Sequence, residues 1–275
     1  MAERTALVTG CSSGFGLGIA QALAARGWSV TATVRDPSRA PAELAGMRVL
    51  PLDLDDEAGI ESLAAQFERL DCLVNNAGYG LNGPFPSYST VQMRQQMQVN
   101  VLGPAMLTQR LLPALAAARG RVIVVSSVAG EVGLPMNAFY AASKFALEGL
   151  FESLHHELGP HGIGVALVEP GGFRTKFAQN LVWGERPIPS DGVAARQLAA
   201  YRDMQEKMFA RRGNDAGAVV EAIVRLAEMP DMPLRTRVGA DAKAVRWIKR
   251  WLPESALTAL IGMLLRRKRL AGPPR

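Results

Sequence analysis

Short apolar segments alternate along the chain with longer segments whose apolar residues recur at helical spacing. Two of the short segments, VIVV at 122–125 and VALV at 165–168, are apolar without interruption. Uninterrupted apolar strands indicate burial on both faces, as in a parallel sheet. Seven predicted strands in all, alternating with helices, predict an α/β fold in three layers, with a doubly wound parallel sheet and ligands at the carboxyl ends of its strands.

The predicted elements extend from residue 5 to residue 238. The strands are Thr5–Thr9, Ser29–Val34, Val49–Leu52, Cys72–Asn75, Arg121–Ser126, Gly164–Glu169 and Arg235–Val238. The helices are Phe15–Arg26, Glu57–Arg69, Thr90–Ala118, Ala138–Leu158 and Ala216–Glu228. One long segment, 176–215, separates the last two strands, and long insertions beside an α/β crevice are usually lids or substrate walls. We predict a substrate lid there, and a surface excursion without a function is the alternative.

The net charge of +6 is concentrated at the end of the chain. Residues 243–275 hold nine Lys or Arg and one Glu, so the rest of the chain is slightly acidic in sum. The main part therefore gives no reason to expect a nucleic-acid partner. The 275 residues, 48% of them hydrophobic, suit one large domain, which we place at 1–242, followed by a basic amphipathic extension at 243–275.

The cysteine content and the first residues favour a cytoplasmic protein. Cys11 and Cys72 are the two cysteines, which fits a reducing compartment better than a disulfide scaffold. The first predicted strand begins almost at once, without the charged and then apolar leader of a secretory signal. The longest clean apolar run near the end, Leu257–Leu265, is too short to span a bilayer.

A glycine-rich turn, TGCSSGFG at 9–16, follows the first predicted strand and precedes a helix. Gly10, Gly14 and Gly16 let the backbone turn tightly and approach a pyrophosphate at the amino end of that helix. A purely steric need for glycine in a tight turn is the alternative. In this position, the turn predicts a dinucleotide site and makes 1–242 a dinucleotide-binding domain.

Six motifs occur in one order along the chain. They are TGCSSGFG, NNAG at 75–78, Asn100 in MQVN, SSVAG at 126–130, YAASK at 140–144 and PGGFRT at 170–175. In this order and spacing they resemble the short-chain dehydrogenase/reductase family, from residue 5 to about residue 240. The resemblance implies a Rossmann-type fold and an enzyme that acts on CH–OH groups with NAD(P). ATVRD and YAASKFALEGLFESL are most similar to the 17β-hydroxysteroid and retinol dehydrogenase branch.

Tyr140 and Lys144 are four residues apart in a predicted helix and therefore lie on the same face. The resemblance implies that Tyr140 is the general acid for carbonyl reduction and the base for alcohol oxidation. A free phenol has a pKa near ~10, and the positive charge of Lys144 favours the phenolate. A surface tyrosine beside a snorkelling lysine is the alternative.

The resemblance also assigns roles to a serine and an asparagine. Ser127, thirteen residues before Tyr140, is implied to hydrogen-bond the substrate oxygen and to stabilise the charge that develops there. Its neighbour Ser126 points in the opposite direction because side chains alternate along a strand. Asn100 completes the catalytic set by positioning a water that connects Lys144 to solvent.

The choice of cofactor depends on the end of the second strand. NAD enzymes of the family carry an acidic residue where this chain has Val34, and Arg35 follows. A guanidinium suits a 2′-phosphate, so we predict NADP(H) in preference to NAD(H). A shift of two places would instead bring Asp36 into the NAD-selecting position. The predicted cofactor-binding residues are Gly10, Ser12, Ser13, Gly14, Phe15, Gly16, Arg35, Asp53, Leu54, Asn76, Ala77, Gly78, Tyr140, Lys144, Pro170, Gly171, Phe173 and Thr175.

The substrate is expected to be an apolar alcohol, ketone or aldehyde, because few charged residues occur in Tyr79–Tyr88 and Glu131–Asn137, the predicted substrate walls. No metal site is predicted: His155 and His156 are adjacent and point apart on a helix, and His161 lies beyond its end. The family pairs through the helices predicted at 90–118 and 138–158, which implies a homodimer or homotetramer.

The extension at 243–275 has apolar residues at helical spacing, with cations between them. The apolar residues are Val245, Ile248, Trp251 and Leu252, and the cations are Arg246, Lys249 and Arg250. Peripheral membrane helices show this pattern, and a helix packed on its own fold or on a partner subunit is the alternative. The sequence thus predicts an NADP(H)-dependent oxidoreductase for a hydrophobic substrate. A non-catalytic NADP(H)-binding regulator or membrane-associated scaffold is the second hypothesis.

Overall fold

The computed structural model describes residues 3–173, 181–210 and 215–266. The strands are β1 (Thr5–Val8), β2 (Ser29–Val34), β3 (Arg48–Pro51), β4 (Cys72–Asn75), β5 (Leu81–Asn82), β6 (Arg121–Val125), β7 (Gly164–Pro170), β8 (Val182–Trp183) and β9 (Arg235–Val238). The α-helices are α1 (Gly14–Ala25), α2 (Glu57–Ala64), α3 (Thr90–Met97), α4 (Gly103–Ala118), α5 (Ala138–Leu158), α6 (Val193–Ala210), α7 (Gly217–Glu228), α8 (Ala240–Trp251) and α9 (Glu254–Arg266).

Seven parallel strands form the central sheet in the order β3-β2-β1-β4-β6-β7-β9. The predicted Rossmann-type, doubly wound architecture is therefore confirmed. The strand order reverses between β1 and β4, so a crevice opens at the carboxyl ends of these two strands. The loops that follow β1, β4, β6 and β7 all reach this edge, and they contain four of the six predicted motifs.

Helices cover both faces of the sheet, and each face has its own apolar core. On β1, Ala6 and Val8 point to the core beneath α1 and α7, whereas Leu7 points to the core beneath α2, α4 and α5. By length and composition, the described helical span Thr90–Ala118 is apolar enough to cross a membrane. Its Leu107 is fully buried in the second core, so packing against the sheet accounts for this apolar character.

Two predicted helices differ from the observed ones. α2 ends at Ala64 rather than at Arg69, because the amides of Gln66 and Phe67 bond carbonyls three residues back and tighten the chain. The span Thr90–Ala118 is divided by a π-helical turn at Gln98–Leu102. Such turns occur frequently at functional sites, and this one contains Asn100.

A small second sheet, which was not predicted, joins the start of the predicted lid to a predicted substrate wall. β5 and β8 pair in parallel, with Leu81 opposite Val182 and Asn82 opposite Trp183. Each strand has only two residues, which is too short for a sequence pattern to predict this sheet. The pairing brings the described part of 176–215 next to the segment that follows β4.

α8 begins directly after β9, so the predicted boundary between 242 and 243 falls inside it. Ala242 is buried and Val245 and Ile248 are half-buried, whereas Trp247 and Trp251 are each 66% exposed. The apolar residues of the predicted helical pattern therefore do not all lie on one side: Val245 and Ile248 face the domain, whereas Trp251 faces solvent. One side of α8 packs on the domain, and the two tryptophans face solvent.

Candidate active site

The glycine turn between β1 and α1 leaves no room for larger residues. Gly10 has a φ of +74°, and a β-carbon there would lie 2.9 Å from the Cα of Ala77. Gly14 also has a positive φ, of +61°. A β-carbon at Gly16 would collide with the carbonyl oxygen of Gly10. Backbone conformation and close approach together require glycine at these places.

The amino end of α1 is open to a ligand. Ser13 occupies the N-cap position without a side-chain hydrogen bond to the helix, and Ser12 and Gly14 are exposed. The first amides of a helix have no partner within it, and the helix dipole places positive potential there. Together with the narrow glycine turn, this end of the helix fits the pyrophosphate of a dinucleotide.

Thr9 connects the glycine turn to the NNAG segment after β4. Its hydroxyl oxygen accepts hydrogen bonds of 2.9 Å from the amides of Asn76 and Ala77. The side-chain amide of Asn76 donates back to the carbonyl oxygen of Thr9 at 2.8 Å. These bonds hold the two motifs together at the edge where the strand order reverses, and Gly78 follows them on the exposed side.

Tyr140 and Ser127 meet between the start of α5 and the loop after β6. The two side chains share a hydrogen bond, and burial raises the pKa of the Tyr140 phenol while this bond opposes the rise. The Ser127 hydroxyl also accepts a bond of 3.1 Å from the amide of Ala129. Ser126 is buried, whereas Ser127 is half-exposed. The two adjacent serine side chains therefore point in different directions, as expected along a strand.

Lys144 lies one helical turn after Tyr140, with its ammonium inside the protein. Its Nζ donates a hydrogen bond of 2.8 Å to the carbonyl oxygen of Val125 and lies 5.9 Å from the centroid of the Tyr140 ring. Burial lowers the pKa of Lys144 to about 8, and the neighbouring charge of Glu148 acts in the opposite direction. The structure thus places a buried cation beside the phenol.

Asn100 is buried in the π-helical turn and bonds the loop after β4. Its Oδ1 accepts from the amide of Tyr79 at 3.1 Å, and its Nδ2 donates to the carbonyl oxygen of Tyr79 at 2.9 Å. The same Nδ2 lies 3.2 Å from the hydroxyl of Ser143 on α5. The side chain therefore joins the NNAG loop to the helix that contains Tyr140 and Lys144.

Gln96 supports the same loop and was missed by the sequence interpretation. It is fully buried; its Oε1 accepts from the amide of Leu81 at 2.7 Å and its Nε2 donates to the carbonyl oxygen of Tyr79 at 3.0 Å. A glutamine in an amphipathic helix is ordinarily assigned to the solvent face. Only the contacts of Gln96 in the folded protein show that it is buried and holds this loop.

The predicted adenosine side of the cofactor site lies after β2 and β3. Val34 is buried at the end of β2 and Arg35 is exposed. The Asp36 carboxylate accepts from the amide of Ser38 at 3.0 Å and from its hydroxyl at 2.6 Å, and these bonds lower the pKa of Asp36. Asp53 is exposed after β3 and accepts a bond of 3.0 Å from the amide of Asp55. Leu54, the next predicted contact, is buried against Gly103 of α4.

The predicted nicotinamide side lies at the end of β7. Pro170 is the last residue of the strand, and the amide of Gly171 donates to the carbonyl oxygen of Val238 at 3.0 Å. The amide of Gly172 donates to Oδ2 of Asp241 at 2.5 Å. The ring of Phe173 packs edge-on against Phe15 at 5.6 Å between centroids. The predicted contact Thr175, and the lid residues 176–180 and 211–214, lie outside the described residues.

The two predicted substrate walls contact each other. The amide of Gly83 donates to the carbonyl oxygen of Met136 at 2.8 Å, and the Tyr88 hydroxyl donates to the carbonyl oxygen of Gly83 at 2.7 Å. Met136 has a φ of +65°, which is unusual for a residue with a side chain. The ring of Tyr88 also meets Phe139 edge-on at 5.9 Å, so an aromatic surface adjoins the start of α5.

A buried ionic network lies behind the site and was not predicted. Arg237 bonds Glu131 at 2.5 Å and Glu169 at 2.9 Å, whereas Arg235 bonds Glu148 at 2.8 Å. Glu131 and Glu169 also share a hydrogen bond, which requires a proton on one of the two carboxyls. Burial and the neighbouring Glu131 raise the pKa of Glu169 to about 8, so Glu169 holds that proton at neutral pH.

The remaining chemically reactive residues lie apart from this site or are buried. His155 Nδ1 lies 2.9 Å from the carbonyl oxygen of Val165, and His161 is exposed. Within the described ranges, no group of three His, Cys, Asp or Glu residues could hold a metal ion. Cys11, inside the glycine turn, is fully buried, and burial raises its pKa to about 12. A thiol in this state is unreactive.

The sequence is similar to those of known proteins. A family model described as short chain dehydrogenase matches residues 4–185. The chain is 40% identical to the uncharacterized oxidoreductase YbbO of Escherichia coli strain K12, over 70% of this chain and 76% of that protein. It is 32% identical to a 3-ketodihydrosphingosine reductase of Bacteroides thetaiotaomicron, over 94% and 96% of the two chains. It is 37% identical to retinol dehydrogenase 8 of Homo sapiens, over 85% and 81%.

Solved structures share the fold over nearly the whole chain. A short-chain dehydrogenase from Streptomyces avermitilis has a TM-score of 0.80 and 30% identity, covering 95% of this chain and 96% of its own. A short chain dehydrogenase from Burkholderia cenocepacia, in complex with NADP, has a TM-score of 0.73 and 27% identity, covering 94% and 97%. A Burkholderia phymatum structure in complex with NAD, with a TM-score of 0.76, 23% identity and coverage of 93% and 95%, shares the fold. The chain belongs to the short-chain dehydrogenase family and is an oxidoreductase that acts on CH–OH groups with a nicotinamide cofactor.

Proposed function

We propose that the protein interconverts a hydrophobic alcohol and its ketone or aldehyde, with NADP(H) as the cofactor and Tyr140 as the general acid and base. The observation that carries this proposal is the hydrogen bond between Tyr140 and Ser127, beside the buried ammonium of Lys144. A nicotinamide bound at this crevice supplies or accepts the hydride.

In the direction of reduction, the Tyr140 hydroxyl donates its proton to the carbonyl oxygen of the substrate. The Ser127 hydroxyl donates a hydrogen bond to the same oxygen and stabilises the negative charge that develops on it. The Lys144 ammonium favours the phenolate that Tyr140 becomes. Asn100 holds the loop at Tyr79 and positions the water that connects Lys144 to solvent. In oxidation the phenolate accepts the proton of the alcohol.

Aromatic side chains around the start of α5 support an apolar substrate. Phe85 stacks on Phe139 with 6.4 Å between centroids, and Tyr88 meets both rings edge-on. Phe85 is 62% exposed, so it presents apolar surface beside the entrance to the site. Two relatives, a 3-ketodihydrosphingosine reductase and a retinol dehydrogenase, are named for lipophilic substrates, which agrees with this surface.

The preference for NADP(H) is supported by the residues after β2. Arg35 is exposed directly after the strand, where its guanidinium can bond a 2′-phosphate. The nearby carboxylate of Asp36 already accepts two hydrogen bonds from Ser38, which leaves it less suited to a ribose hydroxyl. The Burkholderia cenocepacia relative in complex with NADP is consistent with this choice.

Two matched substitutions test the reaction. Tyr140→Phe and Ser127→Ala should each lower kcat/KM for ketone reduction by about 100-fold or more, as expected for loss of a general acid or an oxyanion donor. Both variants should still bind NADPH in a fluorescence titration. Ser126→Ala is the control, because it removes the same hydroxyl from the buried neighbouring position. If Tyr140→Phe bound NADPH and turned over at the wild-type rate, the proposed mechanism would be wrong.

The second hypothesis, a non-catalytic regulator or scaffold that binds NADP(H), makes a different prediction. Such a protein would bind NADPH but reduce no member of a panel of apolar ketones and aldehydes. The cellular effect of deleting the protein would then be restored fully by Tyr140→Phe. Failure of that variant to complement, together with normal cofactor binding, favours the enzyme.

The outward side of α8 further supports contact with a membrane surface. Trp247 and Trp251 are four residues apart and each is 66% exposed, and the cations Lys243 and Arg250 are exposed on the same helix. Exposed tryptophans beside cations are typical of helices that bind the lipid–water interface. We propose that the protein is cytoplasmic and that this side of α8 binds the surface of anionic membranes. A lipophilic substrate is concentrated in such membranes.

Vesicle binding tests this proposal without any assay of activity. The protein should co-sediment with phosphatidylcholine vesicles that contain phosphatidylglycerol, and less with phosphatidylcholine alone. The double variant Trp247→Ala/Trp251→Ala should bind at least about tenfold more weakly. Val91→Ala/Val193→Ala removes exposed apolar side chains from α3 and α6 and should bind like wild type. Equal binding by all three proteins would exclude the outward side of α8 as the contact.

A homodimer or homotetramer is also proposed, through the family's pairing helices. Leu102 in the π-helical turn is 51% exposed and Phe145 on α5 is 45% exposed, so these helices present apolar side chains to solvent in the single chain. Phe145→Glu should shift the protein toward monomer in sedimentation equilibrium. An unchanged mass would place the contact elsewhere.

A further inference from the structure

Four polar residues on α5 follow one another at intervals of four. They are Tyr140, Lys144, Glu148 and Glu152. Residues four apart on a helix lie on the same face, with Cβ atoms about 5–6 Å apart. Glu148 therefore lies one turn beyond Lys144, on the side away from Tyr140. The mechanism described above uses the first two residues and leaves Glu148 without a function.

Glu148 is a buried carboxylate that the surrounding structure accommodates. Its exposed fraction is 6%, and its Oε2 accepts a hydrogen bond of 2.8 Å from Nε of Arg235. Its buried Oε1 accepts no hydrogen bond from any residue in the described part of the chain. A β-carbon at Gly130 would lie 2.9 Å from Cγ of Glu148, so glycine at that position makes room for the glutamate.

Lys144 needs a compensating negative charge nearby. Its exposed fraction is 7%, and a buried ammonium costs several kcal/mol unless it is paired with an opposite charge. The carbonyl oxygen of Val125 satisfies one of its three donors but brings no full charge. Glu148, one turn away and equally buried, supplies that charge.

Charged side chains of several neighbouring elements form the network around Glu148. From β9, Arg235 and Arg237 contribute two positive charges; Arg235 also bonds Glu152 at 2.9 Å and Arg237 also bonds Glu131 at 2.5 Å. The acids are Glu148 and Glu152 of α5, Glu131 of the loop after β6 and Glu169 of β7.

From α8, Arg246 also acts on Glu131. On α5, Lys144 is the cation whose charge Glu148 supports. Gly130, which lies against Glu148 on the remaining side, carries no charge.

We propose that Glu148 is a positioning residue that keeps the Lys144 ammonium charged inside the protein. The hydrogen bond from Arg235 holds the Glu148 carboxylate in place. The effect on catalysis rests on the proposed function, in which the Lys144 charge lowers the pKa of Tyr140. The effect on the ionisation of Lys144 itself does not depend on the proposed function.

Glu148→Gln tests this role, because glutamine keeps the shape and the bond to Arg235 but removes the charge. The ionisation of Lys144 can be followed by NMR of protein labelled with ¹³C-lysine, since the chain has six lysines, and Lys144→Arg assigns the signal. We expect the pKa of Lys144 to fall by about one unit in Glu148→Gln, the order for the loss of a neighbouring opposite charge. The alkaline limb of the pH profile of kcat/KM should shift to lower pH by the same amount.

Glu152→Gln is the matched control. It is the same substitution, on the same helix, at another partner of Arg235, but its side chain is 48% exposed. It should leave both the Lys144 pKa and the pH profile unchanged. Glu148→Asp, which restores the charge, should bring the profile back toward wild type. Thermal unfolding and NADPH titration of each variant separate a loss of folding from a change of ionisation.

Three outcomes decide the question. A Lys144 pKa that is unchanged in Glu148→Gln, or that falls equally in Glu152→Gln, overturns the proposal. A lowered Lys144 pKa with a shifted pH profile supports both the proposal and the proposed function. A lowered Lys144 pKa with an unchanged profile supports the role of Glu148 and instead contradicts the assignment of Lys144 to the chemistry of Tyr140.

Discussion

The Tyr201 hydroxyl on α6 donates a hydrogen bond of 3.1 Å to Oδ1 of Asn137, the residue before α5. The same hydroxyl lies 3.4 Å from the side-chain amide of Asn82 on β5, and the Tyr201 ring meets Trp183 edge-on at 6.5 Å. One side chain thus connects the described part of the predicted lid, 176–215, to both predicted substrate walls.

Tyr201→Phe should weaken substrate binding without changing the chemical step. The variant keeps the ring against Trp183. It loses the bond to Asn137, worth about 1 kcal/mol, and the longer contact with Asn82. We expect KM for an apolar ketone to rise by up to about tenfold, with kcat nearly unchanged, in steady-state assays at saturating NADPH. Ser87→Ala, whose hydroxyl bonds the carbonyl oxygen of Pro84 within one wall, is the control. A fall in kcat at constant KM would contradict a role of Tyr201 in holding the lid.

Gly10→Ala should weaken cofactor binding, whereas Gly27→Ala should not. Both glycines have a positive φ, +74° and +77°, so alanine strains the backbone at either place by about 1 kcal/mol. Only at Gly10 would the new methyl group also meet backbone, 2.9 Å from Cα of Ala77; nothing lies within 4 Å at Gly27. The NNAG loop must then move away from the glycine turn.

Urea unfolding and NADPH titration of both variants measure this difference. We expect Gly27→Ala to lose about 1 kcal/mol of stability with normal NADPH affinity. Gly10→Ala should lose more stability and bind NADPH at least about tenfold more weakly, because the close approach of Ala77 adds to the backbone strain. Equal effects in the two variants would show that the contact with Ala77 has no importance.

The fold was predictable because its signals are local. Uninterrupted apolar strands such as 122–125 identify a parallel sheet from a few consecutive residues, and the glycine turn shows its function through its place between a strand and a helix. The network behind the site was not predictable, because Arg235 and Glu148 are 87 positions apart and neither differs in sequence from a solvated charge. The two-residue strands of the second sheet, and the burial of Gln96, likewise depend on contacts between distant segments.

Arg35→Ala should reduce affinity for NADPH selectively. A guanidinium that bonds a phosphate contributes about 1.5–3 kcal/mol, so we expect the Kd for NADPH to rise by about 10- to 100-fold and the Kd for NADH to change little. Fluorescence titration with both nucleotides measures the two constants. Arg225→Ala, at an exposed position on α7, controls for a general loss of positive charge. An equal loss for both nucleotides would place Arg35 against the part of the cofactor that they share.

Glu169 makes the stability of the protein depend on pH in a defined direction. Burial and the bond to Glu131 raise its pKa to about 8, whereas a glutamate in an unfolded chain has a pKa of about 4.3. Between these values the folded protein holds a proton that the unfolded chain has lost. The stability from this group is therefore fully present below about pH 4 and is lost as the pH rises toward about 8, by at most about 1.4 kcal/mol per pH unit.

Glu169→Gln keeps the shape of the protonated acid and removes this titration. We expect its free energy of unfolding, relative to wild type, to increase as the pH is raised from about 5 to about 8, measured by urea unfolding at constant ionic strength. Glu152→Gln should show a constant difference over that range, because the hydrogen bond to Arg235 lowers the pKa of Glu152 and confines its titration to acid pH. If Glu169→Gln differed from wild type by the same amount at both ends of the range, Glu169 would be ionised throughout. The proton between Glu131 and Glu169 would then be absent, and Arg235 and Arg237 would have to compensate both carboxylates.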